Sequence, residues 1–588
     1  MMSTPHQPAV TAPPTRFARW LEPQVLVTIG VLVVLIYLVV GPLLVLVFSA
    51  VRDTDGRLPF EESSSWTFAN VAQVVLDPKT YTILADTAIY SFGSLIITFS
   101  ISLALAWLVE RTDLPLRTLV YVLIVSSLAI PTVILGISWS LLLNPVNGTV
   151  NLWIRGLTGF EGSGPFDVFT MPGLVVAQAI SMVPITFLLV AGAFRVMDAS
   201  MEEAASTSGA RFSQTIRWIT LPLTTPAVLA ALVFMIVSVV ESFDMPLVIG
   251  LRAGIEVLST HIYLQIQPPG VALPNVGVAS VFGLLLLFIA LIPLYYYNRI
   301  VARSERYATI TGRGTHPRRL NLGVWKYPVT IAVFAFLAAS FVVPVLILIW
   351  ASLQPFLSAP TLESLTRLNI GAYVALPQDP TFITATINTL ILGTAVGLGA
   401  MVLGLVASWI MVRSRSRLVP VLDVFTYLPH AFPGVIIGLA ILLIYLYLPL
   451  PIYGSIWVLA IAIITQLISL ATRQMRGGVT QVQRSLEEAA ETSGASWFQT
   501  MRYVTLPLVW PSMLNGFLLI FLIAIKTLSL TLVLYGPDSV VLPTLIWVRW
   551  NTGEVAGASV VGVVMVVITV VLAIGVRRFD ALGSSGQQ

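Results

Sequence analysis

Cysteine is absent from this 588-residue chain, which excludes disulfides, thiolate metal sites, iron–sulfur clusters and cysteine nucleophiles together. Histidine is nearly absent. His6, His261, His316 and His430 are far apart, no pair has metal-ligand spacing, and no metal site is expected. Lysine occurs only as Lys79, Lys326 and Lys526, none in a glycine-rich context. With no G-x-x-x-x-G-K-S/T phosphate loop anywhere, the chain is expected to lack an ATPase site of its own. No nucleophile–base constellation supports a membrane enzyme, and no catalytic residue is assigned. Charge is scarce too: Asp, Glu, Lys and Arg make up 10% of residues against 57% hydrophobic, a balance that a water-soluble fold of this size could not hide inside one core.

What fills the space is apolar sequence in long runs. Stretches able to cross a bilayer, about 20 residues each, lie near 25–50, 86–110, 118–143, 171–194, 227–250 and 276–298. Six more lie near 327–351, 385–411, 418–447, 454–472, 513–536 and 556–576. The pattern predicts an all-α polytopic membrane protein of about 12 transmembrane helices in two tandem, parallel six-helix repeats. Residues 1–24 form a polar N-terminal segment, 25–298 the first half, 299–326 a basic linker, 327–576 the second half and 577–588 a tail. The apolar run after Arg16 and Arg19 is too long for a signal-peptide core, so an uncleaved first span is expected.

Charge placement sets the orientation. With the N-terminus inside, 23 of the 31 Lys and Arg residues are cytoplasmic, seven are outside (Arg52, Arg57, Lys79, Arg155, Arg252, Arg367, Arg549) and Lys526 lies within a span. Both termini and the linker are then cytoplasmic. The net charge of +4 follows this topology and implies no nucleic acid. The linker residues Arg303, Arg306, Arg313, Arg318 and Arg319 point to anionic lipid head groups.

The two halves share sequence. An offset of 302 carries Thr87 to Thr389, Trp107 to Trp409, Arg111 to Arg413, Pro131 to Pro433 and Gly136 to Gly438. Further on, an offset of 285 superposes residues 202–222 on 487–507, and the change of offset places 17 extra residues in the first half, around 144–170. Each copy of the polar stretch is a charged, cytoplasmic island. Ser200 three residues before Glu203, and Ser485 before Glu488, predict a capping box. Gly209 and Gly494 predict left-handed helix stops. A second, amphipathic helix with Phe212, Ile216 and Ile219, or Trp497, Met501 and Val504, is expected to lie along the inner membrane surface. It should end at Leu221-Pro222 and Leu506-Pro507, because proline cannot continue the ladder. Helix capping alone would explain Glu203 and Glu488. It does not explain why Glu202 and Glu487 are also present in both copies, nor the small faces left by Ala204-Ala205 and Ala489-Ala490.

Glu203-Ala204-Ala205…Gly209…Ile219…Leu221-Pro222 and Glu488-Ala489-Ala490…Gly494…Val504…Leu506-Pro507 resemble the cytoplasmic EAA loop of bacterial ABC-importer permeases. The whole chain is similar to a fused, two-half type I permease, most like those for ferric iron. The resemblance implies a multi-pass protein of the bacterial cytoplasmic (inner) membrane with two partner types. Two copies of a cytoplasmic ATP-binding subunit would hydrolyse ATP and dock on Glu202, Glu203, Glu487, Glu488 and their neighbours, and an external or periplasmic solute-binding protein would deliver the cargo. This chain would bind no cofactor itself. Ferric iron is the leading cargo, with thiamine, polyamines and phosphonates as alternatives.

Ionisable groups inside spans cost about 2.5–3.5 kcal/mol each at mid-membrane and mark pathways. Glu241 and Asp244 in the fifth span and Lys526 in the eleventh are such groups, and the offset of 285 relates Glu241 to Lys526. A Glu241–Lys526 pair across the half–half interface is expected to shape a gate. Alternatively both groups reach water at the outer surface. Glu241 is also the residue through which an ion-coupled secondary transporter, the competing reading, would work. Thr527 stands where the resembled iron permeases often have an acid. His430 beside Pro433 reads as a packing residue, and Pro131 and Pro433 as kinks in equivalent spans.

Overall fold

The computed structural model describes residues 23–585 apart from 55–56, 160, 197–204, 206, 210–211, 269–273, 305–319, 357, 359, 415–417 and 449–451. The N-terminal segment, most of the linker and the capping residue Ser200 therefore lie outside the described residues. Among the described residues ten helices are long and apolar enough to cross a membrane, up to twelve when the bent pairs Arg117–Ser127 with Thr132–Leu143 and Pro246–Ala253 with Leu258–Ile266 are counted, while Gly434–Tyr447 is a shorter apolar helix. In the first half, spans 1, 2, 4, 5 and 6 are Leu26–Ala50, Pro78–Arg111, Met171–Arg195, Pro222–Val240 and Val276–Tyr296. In the second, spans 7, 8, 10, 11 and 12 are Gly323–Ser352, Pro380–Arg413, Ile456–Gln481, Trp497–Lys526 and Val555–Gly575. Among the described residues there is no regular strand, only the isolated bridges Arg52–Trp66 and Thr112–Leu320.

Span 3 and span 9 are broken rather than kinked. Span 3 consists of Arg117–Ser127 and Thr132–Leu143, meeting at 100°. Span 9 consists of Val419–Tyr427 and Gly434–Tyr447, joined by the tight turn Leu428–Ala431. Pro131 and Pro433 are the N-caps of the second pieces, both extended in ψ at 139°. Proline removes one ladder donor and pushes its predecessor out of the helical region, and with several residues lost from the ladder a hydrophobic run splits into two half-helices. Such breaks persist in a bilayer only where protein covers them. Ser127, Thr426 and Phe432 beside the breaks are buried.

The repeat shows in matching details. Spans 2 and 8 are both 34 residues long, and Asp77 and Asp379 cap them through the amides of Lys79 (2.8 Å) and Thr381 (2.9 Å). Two stretches that read as external loops instead return as buried helices, Leu258–Ile266 after Pro246–Ala253 and Leu542–Asn551 after Ser529–Leu534. Thr87 accepts the amide of Leu258 and Thr389 that of Leu542, each at 2.9 Å. These hydroxyls satisfy orphan helix-start donors in a buried place, which accounts for threonine in both copies. Thr87→Val and Thr389→Val are each expected to lower stability by about 1 kcal/mol, read as a drop in thermal unfolding temperature. Gly136 and Gly438 serve close approach: a Cβ there would come within 3.2 Å of Val248 and 3.1 Å of Val533, which the offset of 285 relates.

The halves are exchanged at their edges. Span 1 packs on span 6 of its own half and on Gly434–Tyr447 of the other, where Tyr37 donates to Tyr445 at 3.0 Å. Span 7 packs on span 12 and on Thr132–Leu143 of the first half. The extra residues of the first half fold into a helix, Thr149–Thr158, whose Trp153 Nε1 donates to Pro360 O of the second half at 3.2 Å.

Candidate functional site

The second polar island is described completely. Val482 and Gln483 are extended, so the helix restarts at Arg484 with Gln483 as its N-cap, and it runs to Thr492. Ser485 lies inside that helix. This corrects the expected Ser485–Glu488 capping box: Glu488 pairs with Arg484 at 2.9 Å one turn back. The box occurs one helix later, where Ser496 accepts from Gln499 N at 3.4 Å and Gln499 Oε1 accepts from Ser496 N at 2.8 Å. Gly494 closes the first helix at φ +89° as expected, and Ala495 N returns to Ala490 O at 3.0 Å. Gly209 has the same left-handed conformation at φ +79°.

The second helix does not lie along the membrane or end at proline. Trp497–Thr500 passes through a wide π-turn, Met501–Thr505, into Leu506–Lys526, so the island's second helix and span 11 are one rod of 30 residues. The π-turn sits directly before Leu506-Pro507, where the proline, lacking a donor and crowding the carbonyl four residues back, disfavours an ordinary turn. The first copy repeats this as Phe212–Thr215, Ile216–Thr220 and Leu221–Val240, with Pro222 inside.

The two adjacent glutamates face opposite ways. Glu488 is 59% exposed, beside exposed Ala489. The Glu487 side chain is 7% exposed, paired with Arg413 Nε at 2.8 Å and accepting from Thr505 Oγ1 at 2.9 Å. Arg413 also donates to Val482 O at 2.7 Å. Trp409 meets Trp497 edge to face at 5.4 Å. One carboxylate thus ties the short helix Arg484–Thr492 to the C-terminal end of span 8 and the root of span 11. Sequence reasoning missed Arg413, Thr505 and Trp409 as parts of this site. Their signal was their repetition, as Arg111, Thr220 and Trp107. In the first copy Glu202, Glu203 and Ala204 lie outside the described residues, while Ala205, Leu221 and Pro222 belong to helical backbone.

A second polar cluster lies where spans 3, 5 and 11 end or break. Span 5 stops at Val240 and span 11 at Lys526. The expected Glu241–Lys526 pair is not made. Lys526 Nζ instead donates to Leu128 O of the opposite half at 2.8 Å. Leu128 ends the first piece of span 3, where an orphan carbonyl and the negative end of the half-helix attract an ammonium. Asp244 is the acidic neighbour of Lys526 and accepts from Thr132 Oγ1 in the first turn of the second piece. The break in span 3 thus meets a cation at its carbonyl end and an anion at its amide end. Glu241 makes no side-chain hydrogen bond or ion pair among the described residues and is half-buried. Ser529, at the position equivalent to Asp244, approaches Gly434, equivalent to Thr132, so the acid-to-threonine contact at the break belongs to the first half only. The His430 side chain lies outside the described set.

Comparison with known proteins follows the same two-part layout. The family described as binding-protein-dependent transport system inner membrane component matches residues 96–307 and 400–582, more than half of the chain. The ferric transport system permease protein FbpB of Actinobacillus pleuropneumoniae is 26% identical over 446 residues, 74% of this chain but only 62% of that protein's length. The Fe(3+)-transport system permease protein FbpB 2 of Haemophilus influenzae is 22% identical over 503 residues, 84% of this chain and 90% of its own.

Proposed function

The chain belongs to the family of binding-protein-dependent transport system inner membrane components, and from that premise we propose that it is the membrane-spanning subunit of an ATP-driven importer, with its two islands as sockets for two ATP-hydrolysing subunits. The observation that carries this reading is the split between neighbouring glutamates. Glu488 and Ala489 present an exposed face to a partner, while Glu487 binds the same short helix to Arg413 and Thr505. A push on the exposed face is passed to spans 8 and 11 through a buried ion pair, and by repeat symmetry to spans 2 and 5 through Glu202. Gly209, Gly494 and the π-turns before Pro222 and Pro507 set the angle at which each short helix leaves its rod.

The cluster of Lys526, Leu128 O, Asp244 and Thr132 is the gate in this proposal. It joins the end of a rod in one half to the break of a span in the other, so relative movement of the halves must remake it. Solute reaches it from an external binding protein. Ferric iron is the cargo best supported, by the iron permeases to which the chain is similar over most of its length. Thiamine, polyamine and phosphonate are the alternatives, each tested by the same uptake measurement with that solute labelled in place of iron. Co-expression with candidate ATPase and binding-protein subunits should yield a complex that takes up radiolabelled ferric iron only with hydrolysable ATP. Uptake driven by an ion gradient without any ATPase would replace this reading with a secondary transporter working through Glu241.

A further inference from the structure

A cavity of about 460 Å³ opens at the cytoplasmic side of the seam between the halves. Leu294 of span 6 forms its first-half wall, and the rest belongs to spans 9 and 10, with Asp423, Val424, Tyr427, Thr472, Arg473 and Arg476 among its lining. Span 10 runs inward to Gln481, and Asp423 follows the basic turn 413–417, so charge topology sets the cavity at the level of the inner leaflet.

Three features of the lining point to an anion. Arg473 has its guanidinium 4.5 Å from the centre of the Tyr427 ring, and among the described residues it makes no ion pair or hydrogen bond. The ring takes one face of the guanidinium and leaves its in-plane N–H fork, the geometry that grips phosphate. Arg476 is held by Asp423 at 3.1 Å, yet both remain about half exposed (53% and 55%), and the three charges sum to one net positive. Thr472 is 4% exposed, and among the described residues its Oγ1 has no hydrogen-bond partner, a buried donor that a ligand oxygen or water would satisfy. Beside this polar end lie Leu294 and Val424, the latter 59% exposed.

We propose that this cavity binds an anionic phospholipid of the inner leaflet, its phosphate on Arg473, Arg476 and the Thr472 hydroxyl and its acyl chain along Val424 and Leu294. Basic pockets between spans on the cytoplasmic side suit such head groups. The apolar strip beside the arginines favours a lipid over a soluble phosphate, which would leave that strip bare. Because the lipid would touch both halves, its presence would bias how they move against each other.

The test is native mass spectrometry of the full chain released from nanodiscs holding equal phosphatidylglycerol and phosphatidylcholine. One phosphatidylglycerol should remain bound in preference to phosphatidylcholine. R473Q/R476Q should weaken retention about 25-fold, from a roughly fivefold effect per arginine near an anionic surface. Val424→Trp, which fills the cavity and keeps the charges, should also expel the lipid, and decides the matter if the double variant does not fold. Equal retention of both lipids, or unchanged retention in Val424→Trp, overturns the proposal. Displacement of the lipid by millimolar inorganic phosphate overturns the lipid assignment in favour of a soluble anion.

Discussion

Glu487→Ala is expected to separate ATP hydrolysis from transport. The substitution leaves Arg413 buried at the inner end of span 8 without its carboxylate, and breaking a buried pair from one side costs about 3–5 kcal/mol. Thr505 loses its acceptor as well. The short helix would still dock an ATPase through Glu488 and Ala489, but it would no longer be fixed to spans 8 and 11. In reconstituted vesicles, ATPase activity should persist while uptake falls by more than about tenfold, the factor that 1.4 kcal/mol represents, and the chain alone should melt at a lower temperature. Glu488→Ala should do the reverse. Its exposed pair with Arg484 is worth about 0.3–0.5 kcal/mol, so melting should hardly change while partner binding weakens. Coupled transport and normal melting in Glu487→Ala would refute the transmission role. A cycle with Arg413→Ala should show the two residues strongly coupled, since each is the other's main ionic partner.

Lys526→Met is expected to abolish most uptake. It frees the Leu128 carbonyl and leaves Asp244 with only the Thr132 hydroxyl in a span-level site, again a one-sided loss of about 3–5 kcal/mol. Adding Asp244→Asn removes the stranded charge, so the double variant should regain stability. Uptake should stay low, because the contact between the span 11 rod and the broken span 3 is still missing. Restored uptake in the double variant would show that the cluster only supports the fold. Lys526→Arg keeps the charge but replaces a compact ammonium with a planar fork, and should fall between the two.

Much of the coupling element was legible in the chain. Gly209 and Gly494 had to adopt a left-handed turn, and the spacing to Leu-Pro marked the root of a span. The capping box was misplaced because Ser485 and Glu488 have the right interval, while the helix start depends on how span 10 lets go at Val482. The proline rule also misled, since a π-turn absorbs the missing donor at Pro222 and Pro507. The helices Leu258–Ile266 and Leu542–Asn551 went unread because each is too short for a span and too polar at its ends. Their first amides are satisfied by the distant hydroxyls of Thr87 and Thr389, a contact that local sequence does not announce.

The sequence by itself determined the class of molecule, the doubling of the fold and the position of the polar islands along the chain, and it carries the expectation of orientation. Those follow from transfer of apolar residues out of water and from the cytoplasmic bias of Lys and Arg, which act residue by residue along the chain. Tertiary structure alone decided which of two adjacent glutamates turns inward, that Lys526 faces Leu128 and Asp244 rather than Glu241, and that spans 1 and 7 lean on the opposite half. Two related halves offer similar surfaces, and local sequence does not say which one a helix will cover. That choice rests on contacts between residues hundreds of positions apart, such as Tyr37 with Tyr445 and Lys526 with Leu128.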